Sequence, residues 1–212
     1  MNHPLYLCMQ MNETEILKAY LPERSINKVM EWIVQKNVHL KITKNRRSKL
    51  GDYRPPVNHT NHRISINHSL NPFAFLITFV HEMAHLIVWE KFRNKVSPHG
   101  IEWKYEYRHL MNTMLENNIF PDDISTVLSK SIVNSKASSS SDLKLSRILK
   151  KYDRHKQVTH VEDLPENSVF QTENGSKFKK GIKKRTRYLC LNLQNRKEYL
   201  FHPLTPIMAV ND

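Results

Sequence analysis

"NPFAFLITFVHEMAHLIVWEKF", residues 71–92, is the stretch on which the reading of this chain turns. Asn71 followed by Pro72 is an N-cap and first-turn pair that opens a helix. The helix is apolar nearly all round, with Phe73, Leu76, Val80, Ala84 and Ile87 on one side and Phe75, Phe79, Met83 and Leu86 on another. Such a helix is buried. Set into it are His81, Glu82 and His85, which are expensive to bury without partners. Positions four apart stack on one face, so the two imidazoles can point at a single ion. Glu82 lies roughly 100° round the axis, able to reach water at that ion without being a ligand. Zinc held by three protein groups keeps one position for water and lowers its pKa to about 7. Glu82 would accept that proton and later pass it to a leaving amine.

A third ligand has to come from downstream. The metzincin pattern asks for Gly three and His six residues past the second histidine, where this chain has Val88 and Lys91. Glu102 and Glu106 lie at the distance of a gluzincin-type glutamate and are candidates. His99 in "SPHGIEW" is the favoured one. It follows a loop that lets the chain turn back, and Gly100 allows close backbone approach. The expected centre is therefore one zinc per chain on His81, His85 and His99, imidazole ligation suiting zinc.

Either side of the helix, "ETEILKAYL" and "PERSINKVMEWIVQK" read as two helices, and "NVHLKIT" and "HRISIN" as half-buried strands by their alternation. "KLGDYRPP" reads as a turn. A second long helix is expected from about Ile101 to Leu115, with Trp103, Tyr107, Leu110 and Met114 on one face. The Ser-rich stretch 130–144 reads as a loop, and the residues beyond it as short strands separated by "ENG", "KKG" and "QNRK" turns. The fold class expected is α+β. It comprises a metal-binding domain over 1–125, a Ser-rich and basic linker over 126–160, and a small basic β domain over 161–212.

Net charge is +13, from 33 Lys and Arg against 20 Asp and Glu. Residues 142–212 carry 15 of the cations against 8 acids, so the tail is about twice as dense in positive charge as the rest. An excess this large favours a polyanion as partner. "KFKKGIKKRTR" (177–187) concentrates it in Lys177, Lys179, Lys180, Lys183, Lys184, Arg185 and Arg187, with Tyr188 beside them as an aromatic for base stacking. Sequence-tolerant DNA binding through phosphates is the expectation, single- or double-stranded left open. Two cysteines, Cys8 and Cys190, exclude a Cys-rich disulfide scaffold or a Cys-only zinc site within one chain. The N-terminal residues show no basic n-region, and "FAFLITFV" is interrupted by His81 and Glu82. No secretory signal or membrane association is read, and a cytoplasmic location is expected, with nucleoid association left open.

The motifs "VHLKITKNRRSKLGDYRPP", "HRISINHSLNP", "HEMAHLIVWE" and "HGIEWK" together resemble the SprT-like metalloprotease family, which includes the Spartan-type DNA-dependent proteases. The resemblance covers roughly residues 20–120. It implies a minimal zincin-like fold, zinc on His81, His85 and His99, and Glu82 as catalytic base. It also implies cleavage of proteins attached to or bound on DNA, in DNA–protein crosslink repair, with DNA as activator. Many family members carry a Cys-rich zinc ribbon after the protease domain. With Cys190 alone in that region, this tail would be a metal-free β descendant of it. The competing reading is a non-catalytic DNA-binding module whose metal is structural, closed by Glu102 or Glu106 as a fourth ligand.

Overall fold

The computed structural model describes residues 14–46, 48–58, 60–133, 142–153 and 158–209, and the chain divides into two compact units, 1–153 and 154–212. In the first, residues 14–18 are helical, and a 3-10 turn at Glu23–Ser25 leads into α1 (Ile26–Gln35). Three strands follow, β1 (Val38–Thr43), β2 (Gly51–Arg54) and β3 (His62–Asn67), in the order β1-β3-β2. β1 runs parallel to the central β3 and β2 antiparallel to it. The expected β1 and β3 are present. β2 corrects the reading of "KLGDYRPP" as a turn: its first residue is the glycine that suggested one, used here for close packing.

The long helix α2 spans Pro72–Phe92, and Asn71 caps it by accepting from the Ala74 N–H at 2.9 Å. Though its length and apolarity would suffice to cross a bilayer, α2 is the buried core of this unit. Phe75, Leu76, Phe79, Val80, Ala84 and Leu86 are wholly inaccessible, packed between β2 and β3 and the helix α3 (Ile101–Glu116). Truncating one of its phenylalanines to alanine removes about 3–5 kcal/mol.

The segment expected to be a linker is, where described, largely helical. Helices α4 (Asp122–Val133) and α5 (Leu143–Lys150) bury Ile124, Leu128, Ile132, Leu145 and Leu149 in the same core. The cap residue Asn71 also donates to Leu149 O at 2.8 Å and to Asp153 at 2.7 Å, and the Tyr152 hydroxyl donates to Asp123 at 2.7 Å. These bonds tie α5 to the start of α2, so the first unit runs on to residue 153. The serines at 138–141 lie outside the described residues.

The second unit is a five-stranded antiparallel sheet of β4 (Val169–Gln171), β5 (Lys177–Lys184), β6 (Arg187–Asn192), β7 (Glu198–Phe201) and β8 (Met208–Ala209). Its order is β7-β6-β5-β4-β8. Val161, Phe170, Phe178, Cys190 and Ile207 form a separate small core. "ENG" and "QNRK" are the β4–β5 and β6–β7 turns as expected, Gly175 having φ +83°. "KKG" is a correction. Gly181 lies inside β5 at a register shift between Lys180 and Lys183, where a Cβ would sit 2.6 Å from Leu189 O.

Candidate metal centre

Three imidazoles converge in the first unit. His81 and His85, one helical turn apart on α2, bring their Nε2 atoms within 3.2 Å of each other. The Nε2 of His99 lies 3.0 Å from that of His85 and 3.2 Å from that of His81. His99 is delivered by the loop between α2 and α3 in a left-handed conformation, φ +58°, which an L-residue adopts only under constraint. Beside it, a Cβ on Gly100 would come within 2.9 Å of Ser97 O, consistent with the close approach expected of that glycine.

Three neutral imidazole nitrogens facing one another at this spacing cannot all be paired, and a shared cation resolves the conflict. For tetrahedral zinc with Zn–N of about 2.0–2.1 Å, ligand nitrogens stand roughly 3.3–3.4 Å apart, so the triad fits with little adjustment. Burial drives the His81 imidazolium down to about 3 and His85 to about 4, with the neighbouring imidazoles adding to both, and holds His99 below the usual imidazole range. Neutral imidazole is the form that ligates. The Trp103 indole, 1% exposed, packs against all three rings at centroid distances of 4.7, 5.4 and 4.8 Å, and stacks on Tyr107 at 4.8 Å.

Of the alternative ligands, Glu106 is buried and committed elsewhere, its carboxylate accepting from Lys91 Nζ at 2.6 Å. Among the described residues, neither Glu102 nor Glu106 joins the cluster of the three histidines.

Glu82 is buried beside His81 and outside that cluster. β2 passes so close that a Cβ on Gly51 would lie 2.5 Å from Glu82 Oε1, and the Tyr53 N–H donates to the carboxylate. Burial raises Glu82 to about 7, with Asp52 adding to the shift and the Tyr53 N–H opposing it. A carboxyl poised there can both accept and return a proton. Sequence reasoning named Glu82 but missed what holds it, because the strand carrying Gly51 and Tyr53 is only four residues long.

Next to the centre is a cavity of about 300 Å³ that includes His85 and His99 in its wall, together with Tyr53, Val88, Trp89 and Arg93. None of these last four had been singled out from the sequence.

The basic residues proposed to meet nucleic acid are in the second unit, and they do not act as one patch. Lys177, Lys179, Lys183, Lys184, Arg185 and Arg187 are exposed. Lys180 is a correction. It is 4% exposed and points inward, donating from Nζ to Glu162 O at 3.3 Å and to Leu164 O. The Tyr188 ring carries the Lys180 ammonium 4.2 Å from its centroid and Lys183 at 5.7 Å, so a stacking base would have to displace them.

An α+β domain built on a buried helix, with two imidazoles one turn apart, a third from the next loop and a carboxyl alongside, is a metal-centre domain of the kind associated with metalloproteases. Residues 23–126 match the SprT-like family, so this domain is similar to that family. Neither a curated protein nor a solved structure matches the chain.

Proposed function

We propose that the chain is a zinc-dependent peptidase that cuts DNA-associated proteins, crosslinked ones included, and that DNA stimulates it. One observation carries the reading: a buried carboxyl, held by the Tyr53 N–H, sits beside three converging imidazoles without being one of the ligand set. A structural site has no use for such a group.

Bound on His81, His85 and His99, zinc would supply Lewis-acid polarisation of a peptide carbonyl and lower the pKa of water. The chain's own residues do the rest. Glu82, oriented by the Tyr53 N–H, accepts a proton from the attacking water and hands it to the leaving amine. β2 is the outer strand of its sheet and lies against Glu82, so its free edge offers main-chain groups on which an extended peptide can align. The six exposed cations between Lys177 and Arg187 supply phosphate contacts that raise the local concentration of DNA-borne substrates.

The test is a gel assay of a DNA-bound substrate protein with wild type, Glu82→Gln and chelator-treated protein, each with and without DNA. Wild type alone should cut, faster with DNA. Glu82→Gln should lose about 10²–10⁴-fold in rate while keeping its metal. Identical behaviour of metal-loaded wild type and Glu82→Gln under all DNA conditions would replace the peptidase with the structural-metal DNA-binding module.

A further inference from the structure

We propose that the cavity beside the metal centre is a carboxylate-recognising subsite, which takes the acidic side chain of a bound peptide with Arg93 as its cation. The inference rests on the peptidase reading for its substrate class, and it concerns the cavity that opens beside His85 and His99.

Arg93 ends α2 with φ +55°, a left-handed conformation held by its N–H bonding to Trp89 O at 2.8 Å. This turn folds the side chain back over its own helix, and the guanidinium lies 4.0 Å from the centroid of the Trp89 ring. A guanidinium stacked on an aromatic face keeps its edge N–H groups for a carboxylate. Among the described residues no carboxylate lies within ion-pair distance of it. Glu90, the acid nearest in sequence, is already engaged: Lys36 Nζ is 2.7 Å from one oxygen, and His62 Nε2 faces the other at 3.7 Å.

The same chain of contacts fixes the opposite wall. His62 Nδ1 is 2.9 Å from the Tyr53 hydroxyl. With Nε2 turned to Glu90, the favoured tautomer carries its proton there and leaves Nδ1 to accept from Tyr53. The phenol is thereby pinned as a wall and offers no competing donor. Val88, Trp89 and Val96 give the lining an apolar side, while Asn94, Ser97, His85 and His99 add polar groups to it. A glutamate side chain matches this composition, with two methylenes against the apolar wall and a carboxylate at the rim cation. A DNA phosphate would satisfy Arg93 but bring nothing to cover Trp89 and the valines.

The probes are blocked hexapeptides of alanine and leucine, with a single Glu or Gln moved through each position. Their binding is measured by calorimetry to zinc-loaded full-length Glu82→Gln, with Arg93 intact, Arg93→Lys or Arg93→Met, and their cleavage by wild type is followed in parallel. At one position Glu should bind about 5-fold tighter than Gln, a rim-exposed charge pair being worth no more. That preference should shrink in Arg93→Lys and vanish in Arg93→Met at unchanged zinc content. Absence of any Glu preference overturns the subsite. So does a preference that survives Arg93→Met, or an Arg93→Met that weakens only DNA binding. A Glu preference without cleavage by wild type leaves the subsite standing and removes the peptidase reading. Cleavage without a Glu preference does the reverse.

Discussion

Replacing Gly51 by alanine tests whether the approach of β2 to α2 sets the position of the Glu82 carboxyl. The added Cβ would lie 2.5 Å from Glu82 Oε1, 2.7 Å from Thr78 Cγ2 and 2.9 Å from Glu82 Cγ. Gly51 has no left-handed backbone to strain, so the whole effect is steric. Restoring ordinary carbon–carbon contact requires β2 to retreat by roughly 0.5–1 Å. Because β2 is an outer strand it can move outward, which caps the cost at the usual overpacking range of about 1–3 kcal/mol. A loss of about 0.4–1 kcal/mol from that penalty, through the lower entropy of the unfolded alanine chain, leaves a Tm fall of several degrees. The retreat also takes the Tyr53 N–H away from Glu82. Misplacing a reacting group by about 1 Å costs on the order of 10²-fold in rate. Zinc content should not change, since the ligands come from α2 and the loop before α3. Turnover of a DNA-bound substrate, thermal unfolding and elemental analysis on one preparation decide the matter. Wild-type rate and Tm together in Gly51→Ala would refute the packing argument, and loss of zinc would show that β2 supports the ligands as well.

Elemental analysis should give one zinc per chain, falling sharply in His85→Ala and His99→Ala but not in Glu106→Gln, whose partner is Lys91. Zinc affinity should hold as pH falls just below 6.5, where ordinary imidazoles start to protonate, because burial pulls His81 and His85 down to about 3 and 4 and holds His99 below the usual imidazole range. In the metal-free protein the same depressed values mean that the unfolded state binds more protons below pH 6.5. Its Tm should therefore decline from pH 6.5 towards pH 4 and be insensitive to these groups above 6.5. Neutralising Lys177, Lys179, Lys184 and Arg187 together should flatten the log–log salt dependence of DNA binding by about three to four, and an unchanged slope would make them a merely solvated face. Lys180→Met should leave that slope alone and instead destabilise the second unit in thermal unfolding, since two backbone carbonyls lose their donor.

Much of the first unit was legible because its central helix is unambiguous. Asn71 and Pro72 mark where it starts, its apolar residues leave no solvent face, and only a buried helix tolerates that. Histidines four apart on such a helix have few uses, so the metal site follows from local pattern alone. The third ligand was harder, because loop geometry decides it. His99, Glu102 and Glu106 are close in sequence, and what separates them is the left-handed turn at His99 and the Lys91 ion pair of Glu106. β2 was illegible for a different reason. Four residues cannot show an alternation, and "KLGDYRPP" carries the glycine and prolines that ordinarily mean a turn. The helices over 122–150 were missed because the serines between them dominated the composition. Their apolar residues, Ile124, Leu128 and Ile132 in one and Leu145 and Leu149 in the other, fall at helical spacing on either side.

The basic run of the second unit shows why a count of charges is a weak guide to a binding face. In a strand, neighbours point to opposite sides, so seven cations in eleven residues cannot all face one partner. Phe178 and Lys180 turn inward from β5 while Lys177 and Lys179 turn out. The irregularity at Gly181 then shifts the phase, so that Lys183 pairs with Tyr188 on the inner side and Lys184 with Arg187 on the outer. Pairing carries Lys179 across to Leu191, which shares its face with Arg187. The outer face thus gathers Lys177, Lys179, Lys184 and Arg187, while Lys180 is spent inside, its ammonium bridging the carbonyls of Glu162 and Leu164. A buried ammonium tying a strap to a sheet does the work that a structural cation does in other small β domains, where the core alone is too small to fix the chain. Among the described residues five buried hydrophobics make up the core here, and the Lys180 ammonium held between two carbonyls adds a polar tie to it.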